Sequence, residues 1–367
     1  MKYASRALSA LIFGVGAASA TAQTLPGNVT IYGFLKVDAE SVQAGGAKGG
    51  IARINRLSND LSVLGFKGVE DLGGGLQAFF QIESNVLVDT GGGSFADRND
   101  AVGLRGPFGE IFAGHWESPY RFVSVYAIDP FTAGIFSSNS IMGNGFAVGG
   151  NNTAPASFDR RQNNLLQYST PLMKGFSARI AYSAKEERTA TTNPGLWAAL
   201  MTYENGPLYL AYGHEQHSQY FGPGTTDTGD KIGAAYSIGA TRLRFAWERL
   251  RYEPTAQTTL SRDAWQLAVT HNIGQGQLRA SIVKAGRSKG NAISGIGGIG
   301  KPGTESGAHQ VSLGYGYYLS KRTELWGAYT KISNEKNASY NLPANAIPGL
   351  AQGQSPSGFG VGITHKF

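Results

Sequence analysis

Residues Asn28–Val42 read Asn-Val-Thr-Ile-Tyr-Gly-Phe-Leu-Lys-Val-Asp-Ala-Glu-Ser-Val. Val29, Ile31, Gly33, Leu35 and Val37 fall on one face of this stretch, and Thr30, Tyr32, Phe34, Lys36, Asp38 and Glu40 on the other. A period of two marks a strand. Aliphatic side chains on one face and charge on the other suit a wall that stands between lipid and a polar interior.

The pattern recurs along the chain. Arg56–Glu70 pairs with Leu76–Val88 across Asp71–Gly75, and Phe95–Arg105 with Glu110–Glu117 across Gly106–Gly109. Further hairpins join Asp159–Thr170 to Gly175–Glu187, Gly195–Glu204 to Leu208–His217, Asp230–Ile238 to Thr241–Tyr252, Arg262–His271 to Gln277–Arg287, and Gly307–Leu319 to Thr323–Asn334. A last strand runs over Ser357–Phe367. About sixteen strands result, with tight turns at one end (Gly239-Ala240, Ser320-Lys321-Arg322) and long loops at the other (Ser288–Ser306, Glu335–Pro356). The expected fold is all-β, a sixteen-stranded antiparallel transmembrane barrel. Closure removes exposed sheet edges, and that number of strands encloses water rather than side chains.

One connection is too long for an ordinary loop. Ser118–Phe158 lies between two convincing strands, is rich in Gly, Ser and Asn, and carries no charge from Thr132 to Phe158. A structureless connection of that length argues against the strand assignment unless the loop itself is functional, and the second reading is taken here. It is expected to be neither helix nor strand, and to fold inward and narrow the pore.

Composition agrees. Residues 1–22 read as a secretory signal, with Lys2 and Arg6, an apolar run over Ala7–Ala18, and Ala20-Thr21-Ala22 as an A-x-A-like cleavage site. The barrel would then occupy 23–367. Losing Lys2 and Arg6 lowers the formal charge from +7 to +5. No cysteine is present, so disulfides, thiolate chemistry and Cys-based zinc sites are excluded. No segment after the signal is long and apolar enough for a spanning helix.

Several of these stretches also carry a family likeness. Val29-Thr30-Ile31-Tyr32-Gly33, then Leu64-Gly65-Phe66-Lys67-Gly68-Val69-Glu70-Asp71-Leu72-Gly73-Gly74-Gly75-Leu76, resemble the Gram-negative trimeric porin family. Asp129-Pro130-Phe131, Arg161-Gln162-Asn163-Asn164 running to Tyr168-Ser169-Thr170-Pro171, and the ending Val361-Gly362-Ile363-Thr364-His365-Lys366-Phe367 are similar to its β-proteobacterial branch. The resemblance implies a homotrimer in the outer membrane of a Gram-negative bacterium, with an inward third long loop. It also implies arginines on the wall facing that loop, at Arg98 and Arg161. Val63 and His115 stand where the pattern often has arginine. An aromatic C-terminus such as Phe367 resembles the recognition signal read by the barrel-assembly machinery, and it also suits a closing strand in the aromatic girdle.

Strand parity turns Lys36, Lys67, Arg98, Arg161, Arg179, Arg242, Arg244, Arg279 and Arg287 toward the lumen, because charge facing lipid at the midplane costs roughly 2–4 kcal/mol. Asp38, Glu40, Glu83 and Asp100 temper that wall. Within the long loop only Asp129 is negative, against Arg121, so little acid is expected opposite Arg98 and Arg161. Rings of basic side chains favour anions. The expected activity is therefore passive diffusion of small hydrophilic solutes and ions with an anion preference, without cofactor, metal or nucleic-acid partner. A porin selective for one organic anion is the nearest rival, and a barrel hydrolase is a distant one. Gly295–Gly300 matches G-x-G-x-x-G, but Lys301-Pro302 follows in place of a helix, so a flexible loop is expected. His214 and His217 lie on opposite faces of one strand and are not expected to share a metal. They are placed near the interface rim.

Overall fold

The computed structural model describes residues 29–46, 49–131, 133–145, 157–183 and 188–367. The expected signal at 1–22 lies outside them, as does the 146–156 stretch of the long loop.

Among the described residues nineteen hydrogen-bonded segments form one closed antiparallel sheet. Two of them, Gly93–Ser94 and Lys289–Gly290, are two-residue extensions of outer loops. Two others, Ile51–Asn59 and Val63–Gly73, pair with the upper and lower halves of the first strand and are one wall strand with a break. Sixteen wall strands remain. They are β1 (Thr30–Gly45), β2 (Ile51–Asn59 with Val63–Gly73), β3 (Leu76–Val86), β4 (Asp100–Gly106), β5 (Gly109–Glu117), β6 (Arg161–Ser169), β7 (Phe176–Ser183), β8 (Gly195–Asn205), β9 (Leu208–Ser218), β10 (Thr226–Ile238), β11 (Thr241–Thr255), β12 (Thr258–Ile273), β13 (Gly276–Ala285), β14 (Ala308–Tyr318), β15 (Thr323–Asn334) and β16 (Ser355–Lys366). β1 pairs with β16 from Phe34↔Lys366 to Gly45↔Ser355, and Gly33 exchanges backbone hydrogen bonds with Phe367, so the cylinder closes. No helix among the described residues is long and apolar enough to cross a membrane.

The two faces sort as the period of two requires. On β1, Ile31 and Leu35 are exposed while Asp38 and Glu40 are buried. On β16, Phe359, Val361, Ile363 and Phe367 are exposed and lie on one side. Exposed aliphatic and aromatic side chains around the outside are what a lipid-facing surface needs.

The stretch from Ser118 departs from the expected irregular chain in two places. Pro119–Val123 and Met142–Asn144 are short 3₁₀ turns, the first started by Pro119 and capped by the Ser118 hydroxyl, which accepts from the Tyr120 N–H. The loop carries its own apolar side chains, and Tyr120, Val123, Ile128, Ile135, Phe136, Ile141, Met142 and Phe158 are all buried. They pack where the wall has no side chain. A Cβ at Gly233 would meet Val123 and Ile128, one at Gly229 would meet Phe158, and one at Gly358 would meet Ile135. The glycines of β10 and β16 thus make the seat on which the loop rests.

The outer loops close over it. Ile296 and Ile299 of one loop and Tyr340, Leu342 and Ile347 of another join the same buried cluster. The glycine-rich Gly295–Gly300 is therefore not a free loop. Ile296 and Ile299 bridge each other, and Asn144 bonds the Ile296 carbonyl and the Gly298 N–H.

Candidate functional site

The loop is held by ionic groups on the inner wall. Glu248 of β11 is the hub. It accepts from the Tyr120 hydroxyl at 3.0 Å and the Gly143 N–H at 2.6 Å, and pairs with Lys231 of β10 at 3.2 Å and Arg262 of β12 at 2.8 Å. Lys231 also reaches the Ser124 hydroxyl at 2.8 Å and Asp159 at 3.0 Å. Glu215 of β9 accepts from the Ser118 hydroxyl and is hydrogen-bonded to the His217 imidazole at 2.6 Å. Farther round, Ser312 donates to the Phe136 carbonyl, Gln310 to the Ser137 carbonyl and Lys36 to the Ala133 carbonyl. The loop is fastened to the inner side of the wall from β9 through β14 to β1.

His217 stands one residue from the loop end of β9 but is not exposed at a rim. It is fully buried and stacked between Phe158 and Tyr220, with ring centroids 4.3 and 4.6 Å away, while His214 on the opposite face meets Asp230. The interior position follows from parity, since His217 shares its face with Glu215 and Tyr209.

Arg98 and Arg161 come together on the β4–β6 side, but they are not opposed by a bare loop. Arg161 pairs with Glu117 at 2.6 Å and donates to Asn99, and Arg98 reaches Asn85 at 2.9 Å and Glu83 at 3.9 Å. Glu117, the residue just before the loop, also pairs with Arg121 at 3.3 Å and accepts from the Tyr126 hydroxyl at 2.5 Å. Asp129 does not face these arginines. Its carboxylate is folded onto its own loop, accepting from the N–H groups of Phe131 and Ser138 and from the Ser138 hydroxyl. Burial pushes that carboxyl up to about 6 against those three donors.

Asp100 accepts from the Glu83 N–H. Val63 is buried in the inner face of β2, and His115 is bonded to Asn163 beside the β5–β6 bulge.

Below the loop, toward the tight turns, the lumen opens into two cavities. One of about 600 Å³ is lined by Arg105, Glu110, Phe122 and Arg179, with Arg179 over the Phe122 ring at 4.4 Å. The other, of about 520 Å³, is lined by six basic side chains (Lys36, Arg244, Arg279, Lys321, Arg322 and Lys366) and two acidic ones (Asp129 and Glu324). Phe122 and Tyr126, with ring centroids 5.0 Å apart, each border one cavity. Arg279 pairs with Glu324, and Arg244 donates to Thr270 at 3.1 Å. Arg242 is half-buried two residues from Arg244 on the same face. Among the described residues none of Arg179, Arg242 and Arg244 has a carboxylate in ion-pair range. Lys67 is exposed on the inner face, its ammonium 4.8 Å from the Tyr32 ring. Arg287 differs from its expected place: it stands at the outer rim, exposed, in a pair with Glu335. Its strand ends at Ala285, so parity no longer sets its direction.

Sequence reasoning missed Glu117, Tyr126, Lys231, Glu248 and Arg262. Parity turns Lys231, Glu248 and Arg262 inward, and that signal was available. Their meeting at one point under the loop depends on shear between strands, which no local pattern carries.

A family model described as Gram-negative porin matches residues 7–337. Outer membrane porin protein 32 of Delftia acidovorans is 29% identical over 380 residues, covering 99% of each chain. An outer membrane porin protein of Bordetella pertussis is 29% identical over 351 residues, covering 86% of this chain and 84% of that relative. Among solved structures, an anion-selective porin from Comamonas acidovorans has a TM-score of 0.76 and 27% identity, over 92% of this chain and 99% of its own.

Proposed function

The chain belongs to the Gram-negative porin family, an outer-membrane family of channels rather than enzymes, and from that premise we propose that its lumen passes small hydrophilic solutes with a preference for anions. The observation that carries the preference is the cavity under the loop, where six basic side chains face two acidic ones. A low-dielectric wall focuses that field along the path of an ion. The solved relative described as anion-selective supports the same reading. Zero-current potentials of the refolded protein in a KCl gradient test it, and a cation-selective sign would overturn it.

In this reading Lys67, Arg179, Arg242 and Arg244 act most strongly on the ion in transit, and Lys36 and Arg279 contribute less because Asp60 and Glu324 pair with them. Arg98, Asp100 and Arg161 shape the wall opposite the loop, and Asp38 and Asp129 temper the charge. The loop sets the bore through Tyr126 and its neighbours. The channel works as a homotrimer, and residues 1–22 direct export.

Asp129 makes the preference pH-dependent. Its folded value of about 6 lies above the usual carboxylate value near 3.9. The folded loop therefore favours the protonated form. The stability this lends is complete below about pH 4 and is lost as pH rises through about 6. Lowering pH from about 7.5 to about 5 removes a negative charge from the cavity that Arg244, Arg279 and Lys36 share with it. Anion preference should rise over that window in zero-current potentials. Asp129→Asn should hold the higher value throughout; an unchanged pH response in that variant would rule the assignment out.

Phe367 extends the β1–β16 ladder by one exchange of backbone bonds, with Gly33, and forms the outward aromatic end beyond β16. We take it to be the feature that the barrel-assembly machinery reads. Deleting it should lower surface-exposed trimer several-fold in cells. Wild-type levels on cell fractionation would show that closure and recognition do not need it.

A further inference from the structure

Three acidic side chains meet on the inner wall where β1 passes the break in β2. Asp38 and Glu40 point inward from β1, and Asp60 occupies the break between the two segments of β2. One carboxylate oxygen from each lies within 4.8 Å of the others, and the three residues are 1%, 3% and 0% exposed. Two cations answer part of this charge. Lys36 meets Asp60 at 3.0 Å, and Arg56 meets one oxygen of Glu40 at 2.6 Å, an oxygen that also accepts from the Ser58 hydroxyl.

Asp38 has neither. Among the described residues no donor bonds either of its oxygens and no cation pairs with it, and the second oxygen of Glu40 is equally without a hydrogen bond. An ionised carboxylate buried in this way is strongly disfavoured, and such orphaned oxygens call for an ion or a proton. Backbone packs closely against them on two sides. A Cβ at Gly360 would come within 2.5 Å of an Asp38 oxygen, and one at Gly134 of the long loop would overlap the Asp60 carboxylate. Two glycines on separate elements thus let a wall strand and the long loop close directly onto the carboxylates.

We propose that Asp38, Glu40 and Asp60 bind a hard divalent cation of the calcium type. Such cations take carboxylate, carbonyl and water oxygens in flexible geometry. Convergent carboxylates with unbonded oxygens supply the first of these. No histidine or cysteine takes part, so the usual sequence signatures of a metal site are missing. The site lies where the loop meets the wall: Lys36 bridges Asp60 and the Ala133 carbonyl, and Gly134 lies against Asp60. Binding there therefore fastens the loop on the side away from Glu248, and adds positive charge to the wall.

The test uses full-length protein refolded in detergent and stripped with chelator. Terbium is the luminescent probe, sensitised by Trp326, whose ring lies 4.6 Å from the Lys36 ammonium, and CaCl₂ is the competitor. The expected result is one saturable, calcium-displaceable terbium site per chain, with a calcium-dependent rise in unfolding temperature. Both should be lost in Asp38→Asn and retained in Asp230→Asn, which alters an acid on the outer face. No saturable site in the wild type, or one that survives Asp38→Asn, would overturn the proposal. If Asp38→Asn does not fold, Glu40→Gln is used in the same way. Infrared difference spectra of the wild type give the second arm. A protonated carboxyl band that calcium removes supports the site, whereas one that calcium leaves in place assigns a trapped proton and refutes it.

Discussion

Replacing Glu248 by alanine should loosen the long loop and raise single-channel conductance. Glu248 is fully buried and holds two cations, Lys231 and Arg262, together with the Tyr120 hydroxyl and the Gly143 N–H. These partners belong to two neighbouring wall strands and to both 3₁₀ turns of the loop. Removing one member of a buried ionic cluster typically costs about 3–5 kcal/mol, because the remaining charges stay buried without compensation. Lys231 would keep Asp159, at 3.0 Å, whereas no other carboxylate pairs with Arg262 among the described residues. The barrel keeps its backbone ladder throughout, so the loss falls on the loop seat. Glu248→Ala should therefore show larger and noisier conductance steps in planar bilayers and a lower thermal midpoint. Glu248→Gln, which still accepts hydrogen bonds, should fall between it and the wild type. Unchanged conductance and midpoint in the alanine variant would mean that the apolar packing on Gly229, Gly233 and Gly358 suffices alone.

The contrast between what the sequence shows and what it conceals follows from the range of each signal. The period of two is local, and it places Lys36, Arg179, Arg244 and Arg279 on the inner face and Phe359, Val361 and Ile363 on the outer one. It carries no information about partners. Glu117 is separated from Arg161 by the whole long loop, and only folding sets them 2.6 Å apart. Counting acids inside Ser118–Phe158 therefore misses the one that matters, which stands one residue before it. Asp129 counts on paper against Arg98 and Arg161, yet its oxygens are taken up by Phe131 and Ser138. Gly295–Gly300 shows the opposite error. Glycine content suggests freedom, but Ile296 and Ile299 are anchored in the common apolar cluster. Arg287 marks where parity stops: two residues past the end of its strand's ladder, the alternation has no force.

Arg179, Arg242 and Arg244 should dominate ion selectivity, ahead of the more conspicuous Arg98 and Arg161. A cation with a carboxylate beside it presents a dipole, whose field fades within a few ångströms, whereas an unpaired cation acts out to the Debye length of about 8 Å at physiological salt. Arg161 has Glu117, and Arg98 has Glu83. The other three line or adjoin the open cavities under the loop. At about 6 Å in a water-like medium one unit charge is worth ~0.7 kcal/mol to a passing ion, or about a threefold change in its local population. Replacing all three by glutamine should lower the chloride-to-potassium permeability ratio by roughly threefold to tenfold. Arg98→Gln combined with Glu83→Gln removes one charge of each sign, and should leave the ratio within about twofold, because the net field is conserved. Zero-current potentials across a KCl gradient measure both variants. If the paired double variant shifts the potential more than the triple one, the constriction rather than the cavities below it sets the preference, and control of selectivity passes from Arg179, Arg242 and Arg244 to Arg98 and Arg161.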